Sequence, residues 1–281
     1  MSITLVLAIA LDAVIAHEEC GLGHTRSSYI LLGENVLSEE FPWQISLQKY
    51  RWSPNRGIFF YHVCGGSVIA PNWVLSAAHC VSTPENKPDP NDWFILPGLT
   101  NITNQNPWLR YVVESIIVQP SYTLMKNDVA LLRTYAKFHH GVAVPLCIRS
   151  FTDSELFSSV VSNCITTGWG INEPLTLTLN PILRLARLRI INKRACISRY
   201  DDQRIKYLVT DSTVCAEGEA KLCSGDSGGP LACLYHGRYF LIGVASWGSN
   251  CFYQRDRNIP QIFMRVSAYL GWINESITMK H

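Results

Sequence analysis

The sequence predicts an all-β protein that ends in one α-helix, and three observations carry that reading. Short apolar runs, "FPWQISLQ", "CGGSVIA", "NWVLSAAHC", "YVVESIIV", "DVALLR" and "YFLIGVASWG", are β-branched or aromatic and bounded by Gly, Pro or Asn, as half-buried antiparallel strands are. In "ILRLARLRII", Ala186, Leu188 and Ile190 share one face and Arg187 and Arg189 the other, the period of a strand with one wet side. In "VSAYLGWINESI", Val266, Tyr269, Leu270, Ile273 and Ile277 fall on one helical face, so the helix packs onto the body.

The elements follow in chain order. "MSITLVLAIALDAVIAH" has an apolar stretch from Ile3 to Leu11 and then small residues up to Ala16, which reads as a signal peptide over residues 1–16; it is too short to span a bilayer. Secretion is the expectation. "STPENKPDPND" (82–92) is one polar surface loop, and "NKRACISRY" is a short helix entered through Asn192 as N-cap. No repeat or low-complexity tract divides the 281 residues.

Bulk numbers exclude several classes. A formal charge of +2 is too small to argue for nucleic acid or an anionic membrane as partner. Ten cysteines in an exported chain point to disulfides. Neither a Cys-x-x-Cys nor a His-x-x-x-His pair occurs, and His139-His140 has no nearby ligand partner, so no metal is expected. The stretch from Leu99 to Val113 holds no Asp or Glu to bind calcium.

"GDSGGP" sets Ser227 between glycines, where a tight turn exposes its hydroxyl and aims the N–H groups of Gly225 and Ser227 at one point, an oxyanion hole. A serine hydroxyl needs a base, and "SAAHC" offers His79. The base needs an orienting carboxylate, and "NDVALL" offers Asp128 at the edge of an apolar run. Each residue alone has an ordinary structural explanation; the three together do not.

The order His79, Asp128, Ser227 resembles the chymotrypsin-like serine peptidases, and so do "PWQISL", "CGGSVI", "WVLSAAHC", "DVALL", "GWG", "CSGDSGGP" and "SWG", which cover the chain from Cys20 to the final helix. The resemblance implies two six-stranded antiparallel β-barrels with the site between them, then the C-terminal helix. It implies a signal peptide (1–16), a propeptide or light chain (17–29), a peptidase domain over residues 30–277 (first barrel about 30–140, second about 141–265, helix about 266–277) and a tail at 278–281. It also implies bridges Cys64–Cys80, Cys164–Cys233, Cys196–Cys215, Cys223–Cys251 and Cys20–Cys147, the last tethering the propeptide. Ser246, Trp247 and Gly248 would line the strand on which substrate backbone pairs. Expected partners are a protein or peptide substrate, an activating protease and serpin-type or other protease inhibitors. No cofactor and no nucleic acid are expected, and the chain should be a monomer.

Several positions depart from the family pattern. Activation frees an α-ammonium that inserts beside Asp226; by register the new terminus is Ile30, but Tyr29 precedes it where relatives carry Arg or Lys, and the nearest basic residue is Arg26. Cleavage after Tyr29, trimming from Arg26 and permanent latency stay open. His62 matches a histidine that holds the acid in the zymogen. Lys221, with Leu222 and Ser224 beside it, aligns with the floor of the specificity pocket where trypsin-like relatives carry aspartate, and Gln261 with a wall position that is usually glycine. Three readings follow: recognition of an acidic side chain, a plugged pocket, or a shallow site for small residues with Lys221 turned to solvent. A catalytically weak or inactive protease-like binding module is therefore the alternative to an endopeptidase. The hairpin "QKYRWSPNRGIFFYHVC" (48–64) mixes cations with aromatics, either as an exosite or as an enlarged loop. Asn101 and Asn274 open N-glycosylation sequons.

Overall fold

A computed structural model of the chain describes residues 20–23, 40–83, 87–104, 106–139, 141–157, 163–171, 177–200, 206–218, 221–247 and 259–279. The expected signal peptide, the Arg26–Ile30 activation segment, His140, Gly248 and Cys251 lie outside them.

Two closed barrels form the body. In the first, β1 (Gln44–Ser53), β2 (Gly57–Ala70), β3 (Trp73–Ser76), β4 (Trp93–Pro97), β5 (Tyr111–Val118) and β6 (Ala130–Thr134) close in the order β1-β2-β3-β6-β5-β4. In the second, β7 (Cys164–Gly168), β8 (Arg184–Ile191), β9 (Thr213–Glu217), β10 (Pro230–Tyr235), β11 (Arg238–Trp247) and β12 (Gln261–Arg265) close as β10-β11-β12-β9-β8-β7. Every pairing is antiparallel. Closure removes free sheet edges, which an open sheet of such apolar strands would leave as aggregation sites.

The joint between the barrels explains why β1 buries both faces. Ile45 and Leu47 join the apolar core, while Gln44, Ser46 and Gln48 alternate with them and are also buried. These polar groups are hydrogen-bonded, as burial demands. Gln44 Oε1 accepts from Thr167 Oγ1 of the second barrel at 2.6 Å, and Gln44 Nε2 donates to Ile45 O at 3.1 Å. Trp43 is fully buried against Tyr239, with ring centroids 5.2 Å apart, so one apolar cluster runs across both barrels. Truncating Trp43 to alanine would open a cavity worth about 3–5 kcal/mol.

Four disulfides staple the described structure: Cys20–Cys147, Cys64–Cys80, Cys164–Cys233 and Cys196–Cys215. Cys223 is also disulfide-bonded. Asn192 caps the helix Lys193–Ser198, its side chain accepting from Ala195 N at 2.8 Å. The terminal helix differs from expectation in its first turn. Val266–Tyr269 is a 3₁₀ turn and the α-helix runs Leu270–Thr278. β12 enters this turn without a loop and without a side-chain cap, a setting in which tighter i→i+3 bonding is common. Val266, Tyr269 and Ile273 are buried on the expected face. No helix among the described residues is long and apolar enough to cross a membrane.

Candidate active site

Local backbone geometry presents each polar group. His79 sits in a single helical turn, Ala78–Val81, directly after β3. Asn127 adopts a left-handed φ of 54°, and Val129 N–H returns to Asn127 O at 2.9 Å, so Asp128 occupies the middle of a tight turn leading into β6. Asparagine tolerates that conformation better than most residues. Its side chain is held at both ends, Nδ2 donating to Ser121 O at 3.0 Å and Oδ1 accepting from Tyr269 Oη of the terminal segment at 3.3 Å.

The turn delivers Asp128, 1% exposed, to His79. Its Oδ1 accepts from His79 N at 2.8 Å and its Oδ2 lies 2.7 Å from His79 Nδ1. Ser246 Oγ donates to the same Oδ2. Three donors compensate a buried carboxylate that would otherwise cost several kcal/mol. Because Oδ2 accepts from Nδ1–H, Nε2 is left as the basic nitrogen. Cys80 Sγ, a disulfide sulfur and a weak acceptor, lies 3.8 Å from it and supplies no proton. Burial of its phenol, followed by the charge on Asp128, pushes Tyr122 up to about 12, so it stays neutral beside the carboxylate.

Ser227 comes from the second barrel and is anchored to the first. Gly65 N donates to Ser227 O at 2.8 Å, and Ser76 Oγ donates to Gly65 O at 2.8 Å. Gly228, at φ 77°, has no room for a side chain: a Cβ there would lie 2.2 Å from Ser76 Oγ and 3.1 Å from Ala77 N. The serine turn therefore rests on the residues that lead into His79. Ser227 Oγ makes no hydrogen bond to His79 among the described residues. The N–H groups of Gly225 (φ 100°) and Ser227 donate to no acceptor among the described residues, as an oxyanion site requires.

The Asp226 side chain is held by two backbone donors. Its Oδ1 accepts from Gly170 N and its Oδ2 from Cys223 N, both at 2.8 Å. The residue keeps some surface, but its carboxyl group is enclosed: a Cβ on Gly168 or Gly170 would lie 2.0 Å from it. That clash accounts for both glycines of "GWG". Burial pushes Asp226 up to about 6, against the pull of the two N–H donors.

His62 occupies a place other than the one expected, bonding to Gly225 O at 2.8 Å and not to Asp226. A carbonyl only accepts, so Nε2 carries the proton and Nδ1 accepts from Ser46 Oγ at 2.8 Å. Ser46 Oγ accepts in turn from Gln48 Nε2 at 3.1 Å, and Gln48 Oε1 from Arg110 Nε at 3.0 Å. Burial lowers His62 to about 4, which keeps it neutral. This chain from Arg110 to Gly225 was missed in the sequence, because its members are far apart along the chain and only the folded structure aligns them.

The pocket residues are less uniform. Lys221 and Leu222 are half-buried, Leu222 packing against the second-barrel core, and Ser224 is exposed. Gln261 is 3% exposed, and its Nε2 has no hydrogen-bond partner among the described residues. Trp247, 6.4 Å from Tyr200 between ring centroids, also leaves Nε1 without a partner among the described residues. Asn101 is half-buried, its Oδ1 accepting from Thr103 N at 2.9 Å; Asn274 lies in the terminal helix with Ser276 buried beneath it. Among the described residues one group has metal-like spacing, Cys64, His79 and Cys80. Its two sulfurs are joined in a disulfide and offer no thiolate, so the donor set does not suit a metal.

Comparison with known proteins agrees with this architecture. The trypsin family model matches residues 30–273. Serine protease 41 of Homo sapiens is 33% identical over 272 residues, covering 91% of this chain and 78% of that protein. With two six-stranded barrels, a terminal helix and a histidine–aspartate pair at their junction, the chain belongs to the trypsin family of chymotrypsin-like serine peptidases and is a serine endopeptidase.

Proposed function

We propose that the chain is a secreted endopeptidase, made as a zymogen, in which Ser227 attacks the peptide carbonyl, His79 takes and returns the proton, and Asp128 fixes the imidazole. The observation that carries this reading is the 2.7 Å bond from His79 Nδ1 to a buried Asp128, which sets the tautomer that leaves Nε2 basic. The N–H groups of Gly225 and Ser227 hold the oxyanion. The free Ser227 hydroxyl fits a resting site, since such bonds tighten when substrate arrives. The enclosed Asp226 is the expected acceptor for the α-ammonium of Ile30 after cleavage. The closed disulfides favour an oxidising, extracellular setting, in which Asn101 can carry a glycan.

Specificity other than trypsin-like follows from the pocket. Lys221 offers no carboxylate to a cationic side chain, and Gln261 Nε2, without a partner among the described residues, is a buried donor that a substrate acceptor would satisfy. A fluorophosphonate probe, which needs nucleophile and oxyanion hole but no pocket, tests the chemistry. Ser227 should label after cleavage before Ile30. Absence of label in every processed form would leave the alternative, a protease-like binding module. A peptide library varied before the scissile bond tests the pocket, and a preference for Arg or Lys would overturn that part.

A further inference from the structure

The hairpin of β1 and β2 projects beyond the first barrel and has two unlike faces. Strand alternation and register place Tyr50 opposite Phe60 and Trp52 opposite Ile58 on one face. Tyr50 and Phe60 both pack on Phe94, with ring centroids at 6.1 and 5.0 Å, which anchors the base of this stripe. Its outer part is uncovered: Tyr50 is 48% exposed, Trp52 64% and Ile58 64%. On the other face Arg51 lies over Tyr61 at 5.4 Å and Lys49 over Trp93 at 4.5 Å.

The hairpin itself carries charge of one sign; outside it, Asp92 pairs with Lys49 at 3.4 Å. Residues 44–70 contain no Asp or Glu. Arg56 lies in the turn beyond Trp52 and Ile58, and neither Arg51 nor Arg56 enters an ion pair among the described residues. At the inner end the guanidinium of Arg110 stands 4.0 Å over Phe60, fixed by Gln48 Oε1 at 3.0 Å and Asn106 O at 2.9 Å. Two residues before it, Trp108 is 91% exposed. An uncovered aromatic and aliphatic stripe thus has an arginine at each end, Arg56 in the turn and Arg110 at Phe60, with about 13 Å of strand between them.

We propose that this face is a docking site for an extended, acidic segment of a protein partner, in which two carboxylates about four residues apart bracket a large apolar side chain. Charge complementarity selects this occupant. The carboxylates meet Arg56 and Arg110, and the apolar residue covers Trp52 and Ile58. The site is independent of the triad chemistry, although β2 links the two: Gly65, eight residues from Gly57, bonds to Ser227 O, so a docked segment lies about 26 Å from the serine.

The test uses the full chain carrying Ser227→Ala and a synthetic peptide in which two glutamates bracket a phenylalanine, titrated by tryptophan fluorescence and calorimetry. The peptide should bind, affinity should fall as salt rises, and Trp52→Ser with Arg56→Glu should weaken it about tenfold or more without changing the melting temperature. A counterpart peptide with lysines for glutamates should not bind. No binding, or binding that the double variant leaves intact, overturns the proposal. So does capture by phosphatidylserine-containing vesicles that the double variant abolishes and the peptide does not displace, since the face would then meet lipid. Fluorophosphonate labelling is read separately, so loss of the catalytic reading and loss of this one are distinct results.

Discussion

Two enclosed carboxylates, Asp128 and Asp226, are provisioned differently. Asp128 receives a backbone N–H, an imidazole N–H and a hydroxyl, the last two from side chains that a reaction can use. Asp226 receives two backbone N–H groups and, among the described residues, no side-chain donor. Burial outweighs those bonds and pushes it up to about 6. The difference separates a carboxylate whose partners are complete from one that still favours a cation, as the proposed activation requires.

Breaking the complete site has the largest expected effect. Asp128→Asn keeps the shape but presents an amide that favours the wrong imidazole tautomer, so fluorophosphonate labelling and peptide hydrolysis should slow by about 10³–10⁴ while folding is retained. An unchanged rate would remove Asp128 from the mechanism.

Next comes a pH experiment that sets Asp226 against His62. Asp226 is raised, so the folded state binds the extra proton and stability declines as pH rises from about 4 to about 6. His62 is lowered to about 4, so the unfolded state binds the extra proton and stability is lost as pH falls from about 6.5 to about 4. Each slope amounts to about 3 kcal/mol, and in the uncleaved protein they oppose each other over nearly the same window. Urea unfolding across this range should show a shallow dependence in wild type. A decline toward acid should appear in Asp226→Asn, and a decline toward neutral pH in His62→Gln. Parallel profiles in the two variants would refute the assignment.

Smaller effects sharpen the comparison. Gly170→Ala forces a methyl against the Asp226 carboxylate and should destabilise by about 2–3 kcal/mol in thermal melts, whereas Gly271→Ala, on the open side of the terminal helix, should not. Ser246→Ala removes one of three donors to Asp128 and should slow labelling by about fivefold to tenfold, through about 1 kcal/mol. A loss as large as that of Asp128→Asn would mean that Ser246 holds the carboxylate alone.

Much of this was legible in the sequence. Period-two alternation gave the strands, the helical spacing of Val266, Tyr269 and Ile273 gave the terminal element, and the strings around His79 and Asp128 hold the two residues that the structure brings together. Three features were not legible. The bond from Ser246 to Asp128 spans 118 positions and depends on how one barrel seats on the other. Asn127 reads as an ordinary turn residue until its left-handed conformation is seen. His62 has the right neighbours for a zymogen lock, but the register of β1 on β2 turns it to Ser46 and Gly225 O.

The chain from Arg110 through Gln48, Ser46 and His62 to Gly225 has a direction: every donor points inward, and each acceptor is a donor at its other end. Gln48 cannot rotate its amide without forfeiting both neighbours, nor can the imidazole exchange its proton between nitrogens without setting lone pair against lone pair at the glycine. The peptide group after Gly225 is thereby latched from the far side of the first barrel, and the pose of the loop that carries Ser227 is inherited from a half-buried arginine of another segment.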